Sequence, residues 1–408
     1  MPLTRRQIYR RRRIAVFGGG LVVLATAFYL PLTLLAPLRS VAPVVETYTP
    51  PAAVQPAVTF PSYGASGVGA VGYPGVLASA GSTDALPIAS ISKIITALVV
   101  LDQHPITLDD PGPDITFGDV DQGFYDAQLA DGGSVGEMYV GLTLSQRDVM
   151  NVMLIESANN YAETLATWAY GSESAFVDAA TAWLGKVGLA STSIVEPTGV
   201  SPDNRSTVAD LVELGKLALA NPVVAQIVAT QSIDIPNLGP IESSNKLLGI
   251  DGVDGIKTGT LDEAGSCLLF AQDHTVGSTT VTIVGVVLGG PDHDTIDAAI
   301  QSLLAEVDAG FTEVTLATKG QEFAHYETAW GDAATAVAAQ DASVAVWSAT
   351  PVTAAVDVHD VTLATAGADV GSLTFTVGTR TVTVPLTLSA TIDDPGPWWR
   401  LTNPAELF

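Results

Sequence analysis

Leu-Pro-Ile-Ala-Ser-Ile-Ser-Lys-Ile-Ile-Thr-Ala-Leu-Val-Val-Leu, residues 86–101, opens on small polar residues and passes into an apolar run carrying one lysine. That lysine, Lys93, follows Ser90 by three positions. On a helix, residues i and i+3 share a face one turn apart, so the Ser90 hydroxyl and the Lys93 amine are expected to meet. A serine hydroxyl is a weak nucleophile and needs a base within hydrogen-bond reach. A lysine pressed against Ile91, Ile94 and Ile95 loses the hydration that keeps it protonated, and so becomes such a base without a histidine. The alternative is a buried helix start with Lys93 reaching out to water.

Outward from this stretch, the N-terminus is set apart by charge. Arg5, Arg6 and Arg10 to Arg13 precede an uncharged run of 25 residues, 14–38. About 20 apolar residues span a bilayer as a helix. We therefore expect a cytoplasmic basic tail over 1–13 and a single-pass anchor over 14–38, with the body outside the cell membrane. A cleaved signal peptide is the competing reading, against which stand the length of the run and the lack of a clear small-x-small cleavage site. Seven of the 17 Lys and Arg lie at or before Arg39, leaving 10 cations against 43 acids beyond it. Nucleic acid is a poor partner for so anionic a body, and each lysine outside the tail becomes informative. Cys267 is the only cysteine, so the fold must rest on its core.

Residues 39–61 hold Pro43, Pro50, Pro51, Pro56 and Pro61 among Ala, Val and Thr, and read as a semi-extended linker. Helical spacing is expected over 145–170, 173–188, 207–220 and 294–308, with Ser206 or Thr207 capping the third. The Val- and Ile-rich runs between glycine turns over 251–289 read as strands. A body over 62–309 is thus α+β, an antiparallel sheet with helices. After Gly310 short Thr- and Val-rich runs predict a small all-β domain over 310–408, with a hairpin about Gly378-Thr379. Two motifs are decoys. Gly67-Val68-Gly69-Ala70-Val71-Gly72 matches a dinucleotide fingerprint, yet Tyr73-Pro74-Gly75 follows where a helix must begin. Gly132-Gly133-Ser134-Val135-Gly136 spells a nucleophile elbow in a polar glycine loop, ahead of a strand-like 137–140. None of the five histidines has a nucleophile context.

Two later clusters add weight to Ser90 and Lys93. Ser157-Ala158-Asn159 interrupts a good helical run, and Lys257-Thr258-Gly259-Thr260 leads into the strands, offering positive charge where glycine admits a ligand backbone. Ser-x-x-Lys, Ser-x-Asn and Lys-Thr-Gly in this order resemble the penicillin-binding proteins and serine β-lactamases. The flanking residues resemble the D-alanyl-D-alanine carboxypeptidases among them, including Glu196-Pro197-Thr198-Gly199-Val200-Ser201 and Ser243-Ser244-Asn245-Lys246-Leu247-Leu248. Asn160 stands where that family usually has Asp.

The resemblance implies a penicillin-binding, β-lactamase-like transpeptidase fold followed by the β domain. It implies that Ser90 attacks the carbonyl between two terminal D-alanines of a peptidoglycan stem peptide while Lys93 takes its proton. Ser157 would relay a proton to the leaving amine, and Asn159 would hold the substrate amide. The N–H groups of Ser90 and Thr260 would form an oxyanion hole, with Lys257, Thr258 and Gly259 at the terminal carboxylate. No metal or cofactor is implied, and β-lactams would be covalent inhibitors. The alternatives are a β-lactamase using Glu196 to activate water, a D,D-endopeptidase of the same fold, and a catalytically silent cell-wall scaffold.

Overall fold

The computed structural model describes residues 5–49, 57–348 and 350–408. Its central sheet has five antiparallel strands in the order Val253–Leu261, Gly265–Val276, Thr279–Gly290, Ala65–Ala70 and Ala78–Gly81. Alternate side chains of a strand face opposite sides. Leu269, Ala271, Val284 and Val286 accordingly join one core cluster, while Leu268, Phe270, Ile283 and Val287 join another. The first cluster includes helix α7 (Val208–Ala220) and the second includes helix α9 (His293–Gly310). With both faces covered, the run 283–290 carries no polar side chain.

The glycines of the false dinucleotide motif have a packing reason. A Cβ on Gly67 would lie 2.4 Å from Val208 Cγ1, and one on Gly69 would lie 2.6 Å from Val212 Cγ1. Their absence lets α7 settle directly on the strand. Thr207 caps α7, its side chain accepting from the Asp210 N–H, as the sequence pattern predicts.

Helix α2 (Ser92–Gln103) is the centre of the helical part, with every residue from Ser92 to Leu101 buried. Around it lie α3 (Asp119–Ala130), α4 (Gln146–Ile155), α5 (Asn159–Tyr170), α6 (Glu173–Val187) and α8 (Pro222–Val228). The helical stretch expected over 145–170 is thus two helices. They break at Glu156–Ala158, where Ser157 takes a left-handed φ of +66°. Helix α3 was not foreseen, because its polar run with an internal Gly123 hides the apolar spacing.

Beyond residue 310 the strands Glu322–Glu327, Ala333–Ala338, Arg380–Leu388, Asp369–Val377 and Val352–Val358 form one antiparallel sheet, with Phe311–Ala317 paired to Ala342–Trp347 beside it. The hairpin turns at Gly378-Thr379, where Val377 faces Arg380 in register. Its tip docks on the peptidase half: the Thr379 hydroxyl donates to Gly72 O at 2.9 Å, and the Arg380 guanidinium lies 4.5 Å from the Tyr73 ring centre.

Two expectations for the N-terminal region need correction. The residues before 50 are not a free spacer: Val41 and Val361 exchange backbone bonds, and Val44–Val45 pairs with His325 and Ala324 at the sheet edge. Tyr48 packs edge-on against Phe375 at 5.1 Å. The open edge of the Glu322–Glu327 strand supplies unpaired backbone groups, and β-branched valines fit it. Pro50, Pro51 and Pro56 lie outside the described residues. Helix α1 (Arg5–Leu34) begins within the arginines and stops short of residue 38, because Pro37 disfavours helix in the residue before it. Among the described helices α1 alone is, unbroken, long and apolar enough to cross a membrane. A short α10 (Gly396–Thr402) packs beside its end, where the Tyr29 hydroxyl donates to Leu401 O.

Candidate active site

The chain enters the site through a short turn, Ala89–Ile91, that precedes α2. Ala89 holds a φ of +46°, an unusual strain for a residue with a Cβ, and sets Ser90 at the helix mouth. Ser90 is partly exposed, whereas Lys93 behind it is fully buried. The Lys93 amine lies 2.9 Å from Ser90 Oγ, 2.7 Å from Asn159 Oδ1 and 2.7 Å from the Thr198 carbonyl. Two of these partners can only accept. A neutral amine has two N–H groups and one lone pair, so donation to Asn159 and Thr198 leaves the lone pair for the Ser90 hydroxyl. Burial pulls the Lys93 pKa down to about 7, against the upward pull of the Glu196 and Glu163 carboxylates. The amine can therefore take a proton from Ser90 near neutral pH.

Asn159 opens α5 directly after the break at Ser157. Its Nδ2 donates to Gln128 Oε1 at 2.8 Å, which, with Oδ1 on Lys93, fixes the orientation of the amide. The loop 132–136 supports this helix end: the Asn159 N–H donates to Ser134 O at 2.8 Å. Expected strand over 137–140 does not form, because that backbone is tied to α5. The Tyr161 hydroxyl donates to Glu137 O at 2.7 Å.

The third wall is the edge strand Val253–Leu261. A Cβ on Gly259 would lie 3.0 Å from Ala89 Cβ and 3.2 Å from Ser90 N, so glycine there lets the strand pass close to the Ser90 turn. Thr260 follows, exposed, with its hydroxyl 2.8 Å from His293 Nε2. Lys257 is buried, with 2% of its surface exposed, and among the described residues donates only to Thr258 O at 3.2 Å and Thr258 Oγ1 at 3.4 Å. The Ser244 hydroxyl meets the Thr258 hydroxyl at 2.5 Å. Burial, and secondly the charge on Lys93, push the Lys257 pKa well below its usual value.

Residues 74–291, more than half of the chain, match the model of the D-alanyl-D-alanine carboxypeptidase family, peptidase S11. The chain belongs to this family. Two relatives, both named D-alanyl-D-alanine endopeptidase, are similar to it. The protein of Pseudomonas aeruginosa is 33% identical over 207 residues, 49% of this chain and 63% of that protein. The protein of Escherichia coli is 32% identical over 192 residues, 45% of this chain and 58% of that protein. The S11 chain therefore spans about three fifths of these relatives' length. The crystal structure of a peptidoglycan synthesis regulatory factor (PBP3) from Streptococcus pneumoniae shares the fold, with a TM-score of 0.62 at 22% identity. That match covers 82% of this chain and all of that one. The penicillin-binding fold with a following all-β region is the one the sequence predicts.

Within this S11 site the departure at Asn160 has a local cause. Its Oδ1 accepts from Gly136 N and its Nδ2 donates to Gly136 O, each at 3.0 Å, a pairing that an ionised aspartate cannot complete. Glu196 is fully engaged. Its Oε2 takes the Thr198 N–H and hydroxyl, each at 2.6 Å, and its Oε1 takes Gly199 N at 2.7 Å and Asn204 Nδ2 at 2.8 Å. It staples the loop that presents Thr198 O to Lys93, a poor state for a water-activating base. The lone Cys267 is buried, and burial lifts its thiol to about 11, which keeps it unreactive. Sequence reasoning missed Gln128, Glu163 and His293, whose places depend on chain crossings that no spacing reveals.

Proposed function

We propose that this S11 chain is a serine-type D,D-carboxypeptidase that removes the terminal D-alanine from peptidoglycan stem peptides through an acyl-enzyme on Ser90. The observation that carries the reading is the amine of Lys93, which has two carbonyl acceptors and a third direction aimed at Ser90 Oγ. Ser90 attacks the carbonyl between the two D-alanines, and Lys93 receives its proton. The backbone N–H groups of Ser90 and Thr260 hold the developing oxyanion, and Ser157 passes a proton to the departing amine. Asn159, engaged with Lys93 and Gln128, has one amide hydrogen left for the substrate. Lys257, Thr258 and Gly259 receive the terminal carboxylate, which restores the charge on Lys257.

In this reading the chemistry lies within 62–309, the β domain occupies 310–408 with Val44–Val45 at its sheet edge, and an anchor formed by the apolar part of α1 holds the body outside the cell membrane with the arginines inside. Endopeptidase action on cross-linked peptides is a second reading, favoured by the names of the two relatives. The test incubates the purified chain with a fluorescent penicillin, then with a synthetic pentapeptide ending in D-Ala-D-Ala and with cross-linked muropeptide dimers. The proposal expects labelling that Ser90→Ala abolishes, and D-alanine release from the pentapeptide. Labelling that survives Ser90→Ala overturns it. Cleavage of dimers without D-alanine release moves the assignment to the endopeptidase.

A further inference from the structure

From Lys93 and Asn159 a line of hydrogen-bonded side chains runs on to two residues that none of the three motifs contains. Lys93 donates to Asn159 Oδ1, and Asn159 Nδ2 donates to Gln128 Oε1 of α3. Gln128 Nε2 in turn donates to Glu163 Oε1 at 3.1 Å. Glu163 stands one helical turn after Asn159 on α5, and its second oxygen is buried with no hydrogen-bond partner among the described residues. Every link has the same sense, with donors pointing away from Lys93 and the carboxylate as terminal acceptor. Each amide in such a chain is polarised by the next, so reversing one requires reversing all. The direction matters at Lys93. Were Asn159 turned to present Nδ2, the amine would lose an acceptor, and its lone pair would be drawn from Ser90 toward that N–H.

We propose that Glu163 is a positioning residue that fixes the direction of this line and thereby sets the pH range over which Lys93 activates Ser90. The inference rests on the reading of Ser90 as nucleophile and Lys93 as its base. Burial raises the Glu163 carboxyl to about 7, with Glu173 and Glu196 adding to the rise and Gln128 and Lys93 opposing it. The charged groups around the pair are Lys257 on the edge strand, Glu196 in its loop and Glu173 at the start of α6. Lys93 and Glu163 therefore exchange protons over the same range, and the acid limb of the reaction belongs to the pair. As an anion, Glu163 holds a proton on Lys93; removing its charge must favour the free base.

The test measures the acylation rate of the full chain by a fluorescent penicillin from about pH 5 to 9. Glu163→Gln keeps an acceptor for Gln128 but removes the charge. Its acid limb should move to lower pH, each half unit giving about threefold faster acylation on that limb, with the alkaline plateau within about twofold of wild type. Glu163→Leu removes the acceptor as well, and its plateau should fall about 5- to 30-fold. An acid limb unmoved in Glu163→Gln overturns the inference, as does a lowered plateau with no shift, which marks a merely structural part. If the Leu variant does not fold, the Gln profile alone decides. Wild-type protein that is never acylated refutes the underlying reading of Ser90 instead, and the inference falls with it.

Discussion

Gly199→Ala tests whether the loop after Glu196 sets the position of Lys93. Gly199 has a φ of +93°, and a Cβ there would lie 2.0 Å from Ala89 O and 2.8 Å from Ser90 N. An L-residue in a left-handed conformation costs about 1–2 kcal/mol. The overlap is with backbone, not with a flexible side chain, so relief requires the loop and the Ser90 turn to separate by roughly 1 Å. Overpacking of this kind costs about 1–3 kcal/mol, for a total of about 2–5 kcal/mol. At roughly 2–4 °C per kcal/mol the melting temperature should fall about 4–20 °C. The chemistry should suffer separately, because the carbonyl accepting from Lys93 belongs to the peptide bond between Thr198 and Gly199. Rotation about Gly199 tilts that carbonyl and frees the amine to turn. Acylation by a fluorescent penicillin, measured well below the variant's melting point, should fall about tenfold or more for each 1.4 kcal/mol of misplacement. An alanine variant that melts within a degree of wild type and acylates at the same rate would refute the reasoning.

The rate of Ser90 acylation should rise with pH through about 7 and level off above, because the base form of Lys93 is the neutral one; a profile flat from about pH 5 to 9 contradicts this. Lys257→Met should lose about 10- to 150-fold more activity on a free D-Ala-D-Ala terminus than on the corresponding amide, the range of a charge-assisted contact. Equal losses would place Lys257 in the chemistry or the fold. Asn160→Asp should lower the unfolding free energy measured in urea by about 1–3 kcal/mol, since its donor to Gly136 O is lost, and an unchanged value would show that the pairing contributes little. The full chain should stay with membranes through an alkaline carbonate wash, whereas a product beginning near Val41 and free in the medium would reveal a cleaved signal.

What the sequence made legible was local. The apolar run after Ser90 gives a buried helix, Thr207 with Asp210 gives a cap, and Gly378-Thr379 gives a hairpin, because each is decided by residues within a few positions. Motif order brought Ser90, Lys93, Asn159 and Lys257 to one site. Val44–Val45 was not legible as a strand, since its register is set by a partner about 280 residues away. The same limit hid Gln128 and Glu163. A polar residue in a helical run ordinarily faces water, and only the packing of α3 against α5 brings the buried Gln128 onto the part-buried Glu163. Asn160 carried a signal that was visible but not interpretable: the missing aspartate makes sense only once Gly136 stands opposite it.

The two lysines of the site explain why an anionic protein keeps cations where water cannot reach them. Of the ten cations beyond Arg39, Lys93 and Lys257 are buried near each other, and charge on Lys93 disfavours charge on Lys257. Among the described residues Lys257 has neutral acceptors alone, whereas Lys93 has the nearby carboxylates Glu163 and Glu196. On the proposed reading a substrate carboxylate at Thr258 would pair with a charged Lys257, and two like charges would then stand close together among buried side chains unless Lys93 gave its proton up. On the proposed reading, the lysine that would receive the substrate terminus and the lysine that would activate Ser90 are coupled by repulsion, so that binding of the acid end would favour the free-base form of Lys93.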